Sequence, residues 1–177
     1  SILGERFSLS TEATFVAGSN VANLYYASAR LVRLLQLMDH APAPTIFVDA
    51  DLVIGASLDP LFARLKDADV ALCRMPGRVT LHSQFNASVI GINPTAEGLR
   101  FLRGVAGFVA KLLADGSAAW CLDQTALLCT LVNSRRQGVP ARVIATGRSI
   151  YDGTLKCALW PQKMPEDSPY YKDWQQA

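Results

Sequence analysis

The chain has 177 residues, of which 50% are hydrophobic and 18% are charged, and its formal net charge is +2. This composition predicts one globular domain over residues 1–177 with a sizeable core. The scattered Lys and Arg residues argue against a nucleic-acid surface, and no apolar stretch approaches the roughly 20 residues that a membrane span needs. The first residues lack the basic start and apolar middle of a signal peptide, which favours a cytoplasmic location.

Helices and strands alternate along most of the chain. Apolar residues that recur every three or four positions from Val21 to Met38 predict a first helix, capped by Ser19 or Asn20 and ending before Asp39. The later predicted elements are, in chain order, a strand at 46–48, a helix capped by Asp59, strands at 70–73 and 87–92, a helix capped by Thr95, a helix capped by Asp123, and a strand at 141–145. Residues 152–177 are rich in Pro, Trp and Tyr, and we expect them to form an irregular tail.

The cysteines show no pattern that is typical of a zinc site or a disulfide framework. They include no C-x-x-C pair and have no histidines at metal-ligand spacing. We therefore expect free thiols at all of these positions, which are Cys73, Cys121, Cys129 and Cys157.

Strands that alternate with helices indicate an α/β fold with a mostly parallel sheet flanked by helices on both faces. Ligands of such sheets gather beyond the carboxyl ends of the strands. Asp49 and Asp51 follow one predicted strand, and Asn93 follows another. We therefore expect these polar residues to lie at the ligand-binding edge.

The stretch TIFVDADLVIG, residues 45–55, ends an apolar strand in two aspartates that are one residue apart. Residues i and i+2 of a strand point to the same side, so Asp49 and Asp51 would project together. Mg²⁺ or Mn²⁺ prefers oxygen ligands, typically one or two carboxylates and the phosphate oxygens of a substrate. The pair therefore suits a metal ion beside a diphosphate, and it equally suits a hydrated strand end with no ligand.

The same pattern opens the haloacid dehalogenase phosphatases, in which one aspartate is the nucleophile. That family usually continues with a turn such as Gly-Thr and a later pair of adjacent acids, whereas here Asp51 is followed by Leu52-Val53 and no Asp-Asp or Asp-Glu pair follows. A phosphatase with Asp49 as its nucleophile is kept as one alternative. A non-catalytic interaction domain that has the fold without the chemistry is another.

Four landmarks occur in order over residues 20–132: Tyr26-Ala27-Ser28-Ala29-Arg30, Ile46-Phe47-Val48-Asp49-Ala50-Asp51, the segment from Phe85 to Asn93, and Asp123-Gln124. Together they resemble glycosyltransferases of the GT-A fold, most closely the glycogenin and bacterial galactosyltransferase group. The resemblance implies the nucleotide-diphospho-sugar transferase fold and transfer of a sugar from a nucleotide sugar donor. It leaves the acceptor open among a glycan, a lipid-linked sugar and a protein.

The resemblance also implies roles for residues around the metal and the donor. Asp51 would bind Mn²⁺ or Mg²⁺, and Asp49 would help to hold the metal and the ribose of the donor. Arg30 would bind the donor, and the Asn86-Ala87 segment would approach the donor sugar. Structural roles stay open beside these, since Arg30 could be a helix arginine paired with an acid and Asn86 a turn residue.

Asp123 and Gln124 would face the transferred sugar, by the same resemblance. A carboxylate can accept hydrogen bonds from sugar hydroxyls, and the amide would lie near the anomeric carbon without carrying charge. Asp123 could equally serve only as a helix N-cap.

The sequence departs from the group at three places. Ser88 stands where the group has a glycine, which adds a side chain near the expected donor. Neither His40 nor His82 matches the histidine that is the third metal ligand of the group, and Lys163 is a candidate for a phosphate-binding residue. The strand and helix unit that binds the nucleotide base in the group has no counterpart before Arg30, which suggests a fragment of a longer protein.

Overall fold

The computed structural model describes residues 19–49 and 57–146. Asp51, Cys157, Lys163 and the predicted tail at 152–177 lie outside these ranges. The described elements are α1 (Ser19–His40), β1 (Thr45–Val48), α2 (Asp59–Leu65), β2 (Val70–Arg74), a 3-10 turn (Leu81–Ser83), β3 (Phe85–Ile92), α3 (Ala96–Ala114), α4 (Leu122–Arg136) and β4 (Val143–Thr146). This alternation confirms the predicted α/β class.

The described strands form one mixed sheet in the order β1-β3-β2-β4. Strand β3 pairs antiparallel with both β1 and β2, and β2 pairs parallel with β4. The expectation of a mostly parallel sheet is therefore wrong. The reason is the short connection at residues 75–84, since neighbouring parallel strands need a crossover of a dozen or more residues, whereas antiparallel neighbours do not.

The direction of β3 decides which residues meet at each edge of the sheet. Thr45, the first residue of β1, pairs with Ile92, the last residue of β3, and Val48, the last residue of β1, pairs with Val89. Asn93, which follows β3, therefore lies at the edge opposite Asp49. There its side-chain amide donates hydrogen bonds of 3.4 and 3.1 Å to two main-chain carbonyls around the end of α2. The expectation that Asn93 lies at the same edge as Asp49 is wrong.

The sheet separates two apolar clusters. Leu61 and Leu65 of α2 pack against Ala71 and Val89 on one face. On the other face, Leu72 and its neighbours meet α1, α3 and α4, and burying each large side chain there contributes about 1.5–3 kcal/mol. The most completely buried members of this larger cluster include Leu31, Met38, Phe101, Leu102, Leu127 and Ile92.

The beginnings of the helices match the predicted caps only in part. The Thr95 hydroxyl accepts a 3.0 Å hydrogen bond from the Gly98 N–H, which confirms Thr95 as the N-cap of α3. Leu58 precedes α2, and Cys121 precedes α4 with a left-handed φ of 63°. The predictions that Asp59 and Asp123 are N-caps are wrong, because both residues lie inside the first helical turn.

A buried carboxylate, Asp69, joins β2, α3 and β4 at the edge of the sheet away from Asp49. Its oxygens accept hydrogen bonds from the Thr95 hydroxyl at 2.8 Å, from the Arg142 main-chain N–H at 2.7 Å, and from the Arg142 guanidinium at 3.4 and 3.5 Å. Burial raises the pKa of Asp69, but these hydrogen bonds, first of all the one from the Arg142 N–H, outweigh it and hold the pKa below its ordinary value. The folded chain therefore favours the ionised carboxylate.

Replacing Asp69 by asparagine should lower the free energy of unfolding at neutral pH by about 1–3 kcal/mol, because the amide cannot accept all of these hydrogen bonds. Since the folded pKa is depressed, the carboxylate stabilises the fold above its unfolded pKa of about 3.9. This stabilisation is lost as the pH falls through the folded value. Urea unfolding over this pH range should show the difference between Asp69→Asn and the parent chain narrowing in acid.

The matched control is Asp67→Asn, two residues away and exposed. It should change the free energy of unfolding by less than about 0.5 kcal/mol at any of these pH values. Equal losses in the two variants, or a loss at Asp69 that does not depend on pH, would contradict the role given to the buried carboxylate.

Candidate functional site

The carboxyl end of β1 and the start of β3 are adjacent because these strands run antiparallel. The Asp49 N–H donates a 2.9 Å hydrogen bond to the Ser88 carbonyl, which extends the pairing one residue beyond β1. Asp49 and the predicted Asn86-Ala87 segment are thereby brought to one edge of the sheet. Ser88 itself is buried.

Strand β3 carries a bulge in this segment. Consecutive residues of β2 pair with Ile90 and then with Asn86, so residues 87–89 have no partner on β2. Ala87 and Ile90 both belong to the larger apolar cluster, which regular alternation along a strand would not allow. The Asn86 side-chain oxygen accepts a 2.7 Å hydrogen bond from the Ser88 N–H and so closes a local turn. Bulges of this kind re-aim side chains and are frequent beside active sites.

Arg30, in the middle of α1, lies at the centre of the candidate site. Its guanidinium forms an ion pair with Asp49 and a second ion pair, at 2.7 Å, with Asp123. The same group lies 3.5 Å from the Ala87 carbonyl, and its Nε donates a 2.6 Å hydrogen bond to the Ala27 carbonyl of α1. One side chain thus connects α1, β1, the bulge of β3 and α4.

The surroundings of Arg30 shield these contacts from water. The Asp123 side chain is 8% exposed, and those of Arg30 and Asp49 are 22% and 25% exposed. The guanidinium carbon lies 5.3 Å from the centre of the Phe47 ring, within the range of a cation–π contact. Shielding strengthens the attraction between the charges, and two carboxylates against one guanidinium leave one negative charge in excess.

Asp123 divides its two oxygens between the helix and the arginine. Its Oδ1 accepts a 2.8 Å hydrogen bond from the Gln124 N–H, and its Oδ2 accepts from Arg30. The first turn of a helix leaves N–H groups without helical partners and carries positive partial charge, so an acid there is favoured even though it is not the N-cap. Asp123 therefore has a structural role and also presents a carboxylate to the site.

Gln124 lies against the chain that precedes the bulge. Its side-chain amide nitrogen faces two main-chain carbonyls. It donates hydrogen bonds to them, one to the carbonyl of His82 and one, at 3.0 Å, to the carbonyl of Phe85. These contacts attach the 3-10 turn and the start of β3 to α4. Its predicted place near a sugar carbon stays a prediction. The attachment was not foreseen, because the 3-10 turn has no clear signal in the sequence.

Only some of the residues that could bind a divalent cation lie in the described part of the chain. Asp49 supplies one carboxylate at a strand end, and Asp51 lies outside the described residues. Residues 19–49 and 57–146 contain no group of three or more His, Cys, Asp or Glu side chains that could hold a metal. His40 and His82 are both exposed. Since Mg²⁺ usually takes only one or two carboxylates along with phosphate and water, a donor set built on Asp49 and Asp51 fits in kind and number.

Three cysteines, Cys73, Cys121 and Cys129, lie within the described residues, and none of them is in a disulfide bond there. Cys121 immediately precedes α4. Burial raises the pKa of its thiol, and the nearby charge of Asp123 raises it further. The thiolate is the nucleophilic form, so Cys121 is a poor candidate for a nucleophile at neutral pH.

Comparison with known proteins identifies no matching family model and no matching curated protein. Within the part of the chain that the structure describes, none of the helices is long and apolar enough to cross a membrane.

The shielded ion pair should be worth more than an exposed one of the same length. Arg30→Gln should lower the free energy of unfolding by about 1–3 kcal/mol, because Asp123 is left buried without its charged partner. A double-mutant cycle with Asp123→Asn, measured by urea unfolding, should give a coupling energy of about 1–2 kcal/mol.

Arg103 and Asp39 provide the control. Their contact is 2.8 Å long, but their side chains are 55% and 46% exposed. The same cycle on this pair should give less than about 0.5 kcal/mol, because water screens the charges and long side chains lose entropy on pairing. Similar coupling energies for the two pairs would show that burial does not strengthen the Arg30 contacts.

Proposed function

We propose that the chain is a metal-dependent glycosyltransferase domain of the GT-A type, which moves a sugar from a nucleotide diphosphate sugar to an acceptor. The observation that carries the proposal is the convergence of Arg30, Asp49, Ala87 and Asp123 on one cluster of contacts. These residues come from four separate parts of the sequence. They are also positions at which the sequence resembles that group of enzymes.

The charge of the cluster suits the proposed ligands. The excess negative charge left by Arg30, Asp49 and Asp123 favours a cation, and Asp51 would add to it. Asp49 and Asp51 would hold Mn²⁺ or Mg²⁺, which when bound supplies charge stabilisation for a leaving diphosphate. The bulge brings the main chain at Ala87 to the same place, where a sugar can approach the backbone.

The side chains would divide the remaining work of binding and orientation. Asp123 is fixed by the Gln124 N–H and can accept hydrogen bonds from sugar hydroxyls through its other lone pairs. Once the charge of the Asp49 carboxylate is neutralised by Mn²⁺ or Mg²⁺, Arg30 can turn from Asp49 toward the donor. A guanidinium is well suited to this, because its planar set of donors matches phosphate and sugar oxygens. Catalysis would then consist chiefly of positioning and charge stabilisation.

Calorimetric titration with Mn²⁺ and a panel of nucleotide sugars tests this proposal. The parent chain should bind a donor only when Mn²⁺ is present. Asp49→Asn should weaken Mn²⁺ binding by about tenfold or more, as expected when a charged ligand is removed. Asp123→Asn should weaken donor binding more than Mn²⁺ binding, because Asp123 is assigned to the sugar and not to the metal.

The control for both variants is Asp115→Asn, an acid that follows α3 and pairs with Lys111 at an exposed position. It should bind metal and donor like the parent chain. If Asp49→Asn binds both as well as Asp115→Asn does, the carboxylate cluster is not a metal and donor site.

A non-catalytic domain is the second candidate, and one observation favours it. Arg30 already forms ion pairs with both Asp49 and Asp123, as a purely structural cluster would require. This candidate predicts that neither Asp49→Asn nor Asp51→Asn changes metal affinity. It also predicts that no nucleotide sugar binds with or without Mn²⁺.

A further inference from the structure

The connection between β2 and β3 presents its apolar side chains to water. Val79 is 85% exposed and Leu81 is 60% exposed. Trp120, two residues before α4, is 73% exposed. Single exposed apolar residues need no explanation, but three large ones on neighbouring segments indicate a surface that meets something other than water.

The polar side chains of the same connection bond to the connection itself. The hydroxyls of Thr80 and Ser83 lie 2.5 Å apart, and the Gln84 amide donates to the Val79 carbonyl at 3.3 Å. The Met75 N–H donates to the Gln84 carbonyl at 2.9 Å and closes the base of the connection. These hydrogen bonds fix the backbone of the connection and leave the side chains of Val79 and Leu81 exposed to water.

Positive charge accompanies the apolar side chains. Arg74 and Arg78 are exposed and form no ion pair with a described residue. No acidic residue occurs between Asp69 and Glu97 to offset them. Exposed apolar side chains beside arginines that form no ion pair with a described residue match a lipid surface, which is anionic at its headgroups and apolar beneath them.

We propose that Arg74, Arg78, Val79, Leu81 and Trp120 form a basic-apolar surface that binds an anionic phospholipid membrane from one side. Val79 and Leu81 would enter the boundary between headgroups and acyl chains, and the arginines would contact lipid phosphates. An exposed indole suits the same boundary, since one part of the ring is apolar and its N–H is polar. Three apolar side chains are too few for the core of a stable protein interface, which buries about 20–30 residues on each side.

The surface adjoins the candidate site. Gln124 attaches the 3-10 turn and the start of β3 to α4. In the sheet, Arg74 of β2 lies opposite Phe85 of β3, the residue before Asn86. Membrane binding would therefore hold the cluster of Arg30, Asp49 and Asp123 close to the lipid headgroups. If the proposed function holds, this favours the lipid-linked sugar among the acceptor classes. That consequence rests on the proposed function, whereas membrane binding itself does not.

Cosedimentation of the full chain with lipid vesicles tests the proposal without any need for transferase activity. Vesicles of phosphatidylcholine with phosphatidylglycerol should bind the chain, and vesicles of phosphatidylcholine alone should bind it much less. Because each arginine near an anionic surface contributes roughly fivefold in affinity, Arg74→Gln with Arg78→Gln should weaken binding by roughly 25-fold. High salt should weaken the parent chain in the same direction.

Val79→Ser with Leu81→Ser should weaken binding to the anionic vesicles by about tenfold or more, because less apolar area enters the membrane. The matched controls are Leu37→Ser with Val132→Ser, which are exposed apolar residues on α1 and α4, and Arg135→Gln with Arg136→Gln at the end of α4. These controls should bind like the parent chain. The proposal is overturned if the anionic vesicles do not bind, or if the controls lose as much affinity as the surface variants.

Discussion

The ion pairs of Arg30 with Asp49 and Asp123 are the interaction on which the structure depends at the edge of the sheet that carries Asp49. A guanidinium in the middle of α1 reaches the end of β1, the bulge of β3 and the first turn of α4 at once. Each of these places carries backbone groups or charges that helix or sheet pairing leaves unsatisfied. The cluster therefore has a structural role whether or not it has a chemical one, because the guanidinium connects these three places to α1.

The bulge makes this convergence possible. Without it, residues 86–88 would continue the regular alternation of β3 beside β2. The extra residues instead place the Ala87 carbonyl toward Arg30 and leave the Ser88 carbonyl for the Asp49 N–H. Asn86 stabilises the distorted backbone with its own side chain, which is a common role for asparagine where the chain leaves a regular strand. The bulge of β3 therefore determines the geometry of the candidate site.

Periodicity and cap chemistry predicted much of the fold from the sequence. The long amphipathic patterns of α1 and α3 and the Thr95 cap are local signals, and the structure contains each of these elements. The direction of β3 was not predicted, because side-chain alternation is the same whichever way a strand runs. The position of Asn93 was misjudged for that reason alone. Asp59 and Asp123 were misjudged as caps because an acid is favoured throughout the first turn of a helix and not only at its N-cap.

The grouping of Arg30 with Asp49 and Asp123 could not be read from spacing, since these residues are far apart in the sequence. The resemblance to glycosyltransferases drew attention to all three, but it assigned Arg30 to the donor and did not predict that it would pair with both acids. The resemblance assigned Gln124 a place at the transferred sugar, but nothing in the sequence indicated its main-chain contacts. Its contacts with the carbonyls of His82 and Phe85 depend on a 3-10 turn whose sequence, Leu-His-Ser, carries no strong helix or turn signal.

The carboxylates of Asp69 and Asp49 differ in how completely they are satisfied, and this difference decides which of the two could accept a ligand. Asp69 accepts hydrogen bonds on both oxygens from a hydroxyl, a main-chain N–H and a guanidinium, and its side chain is 3% exposed. An ionised carboxylate has about four acceptor positions, so Asp69 has little capacity left for a ligand. Among the described residues, the carboxylate of Asp49 contacts only Arg30, and it is 25% exposed. Asp49 therefore keeps the acceptor capacity and the access to solvent that a cation or a sugar would need, and Asp69 does not.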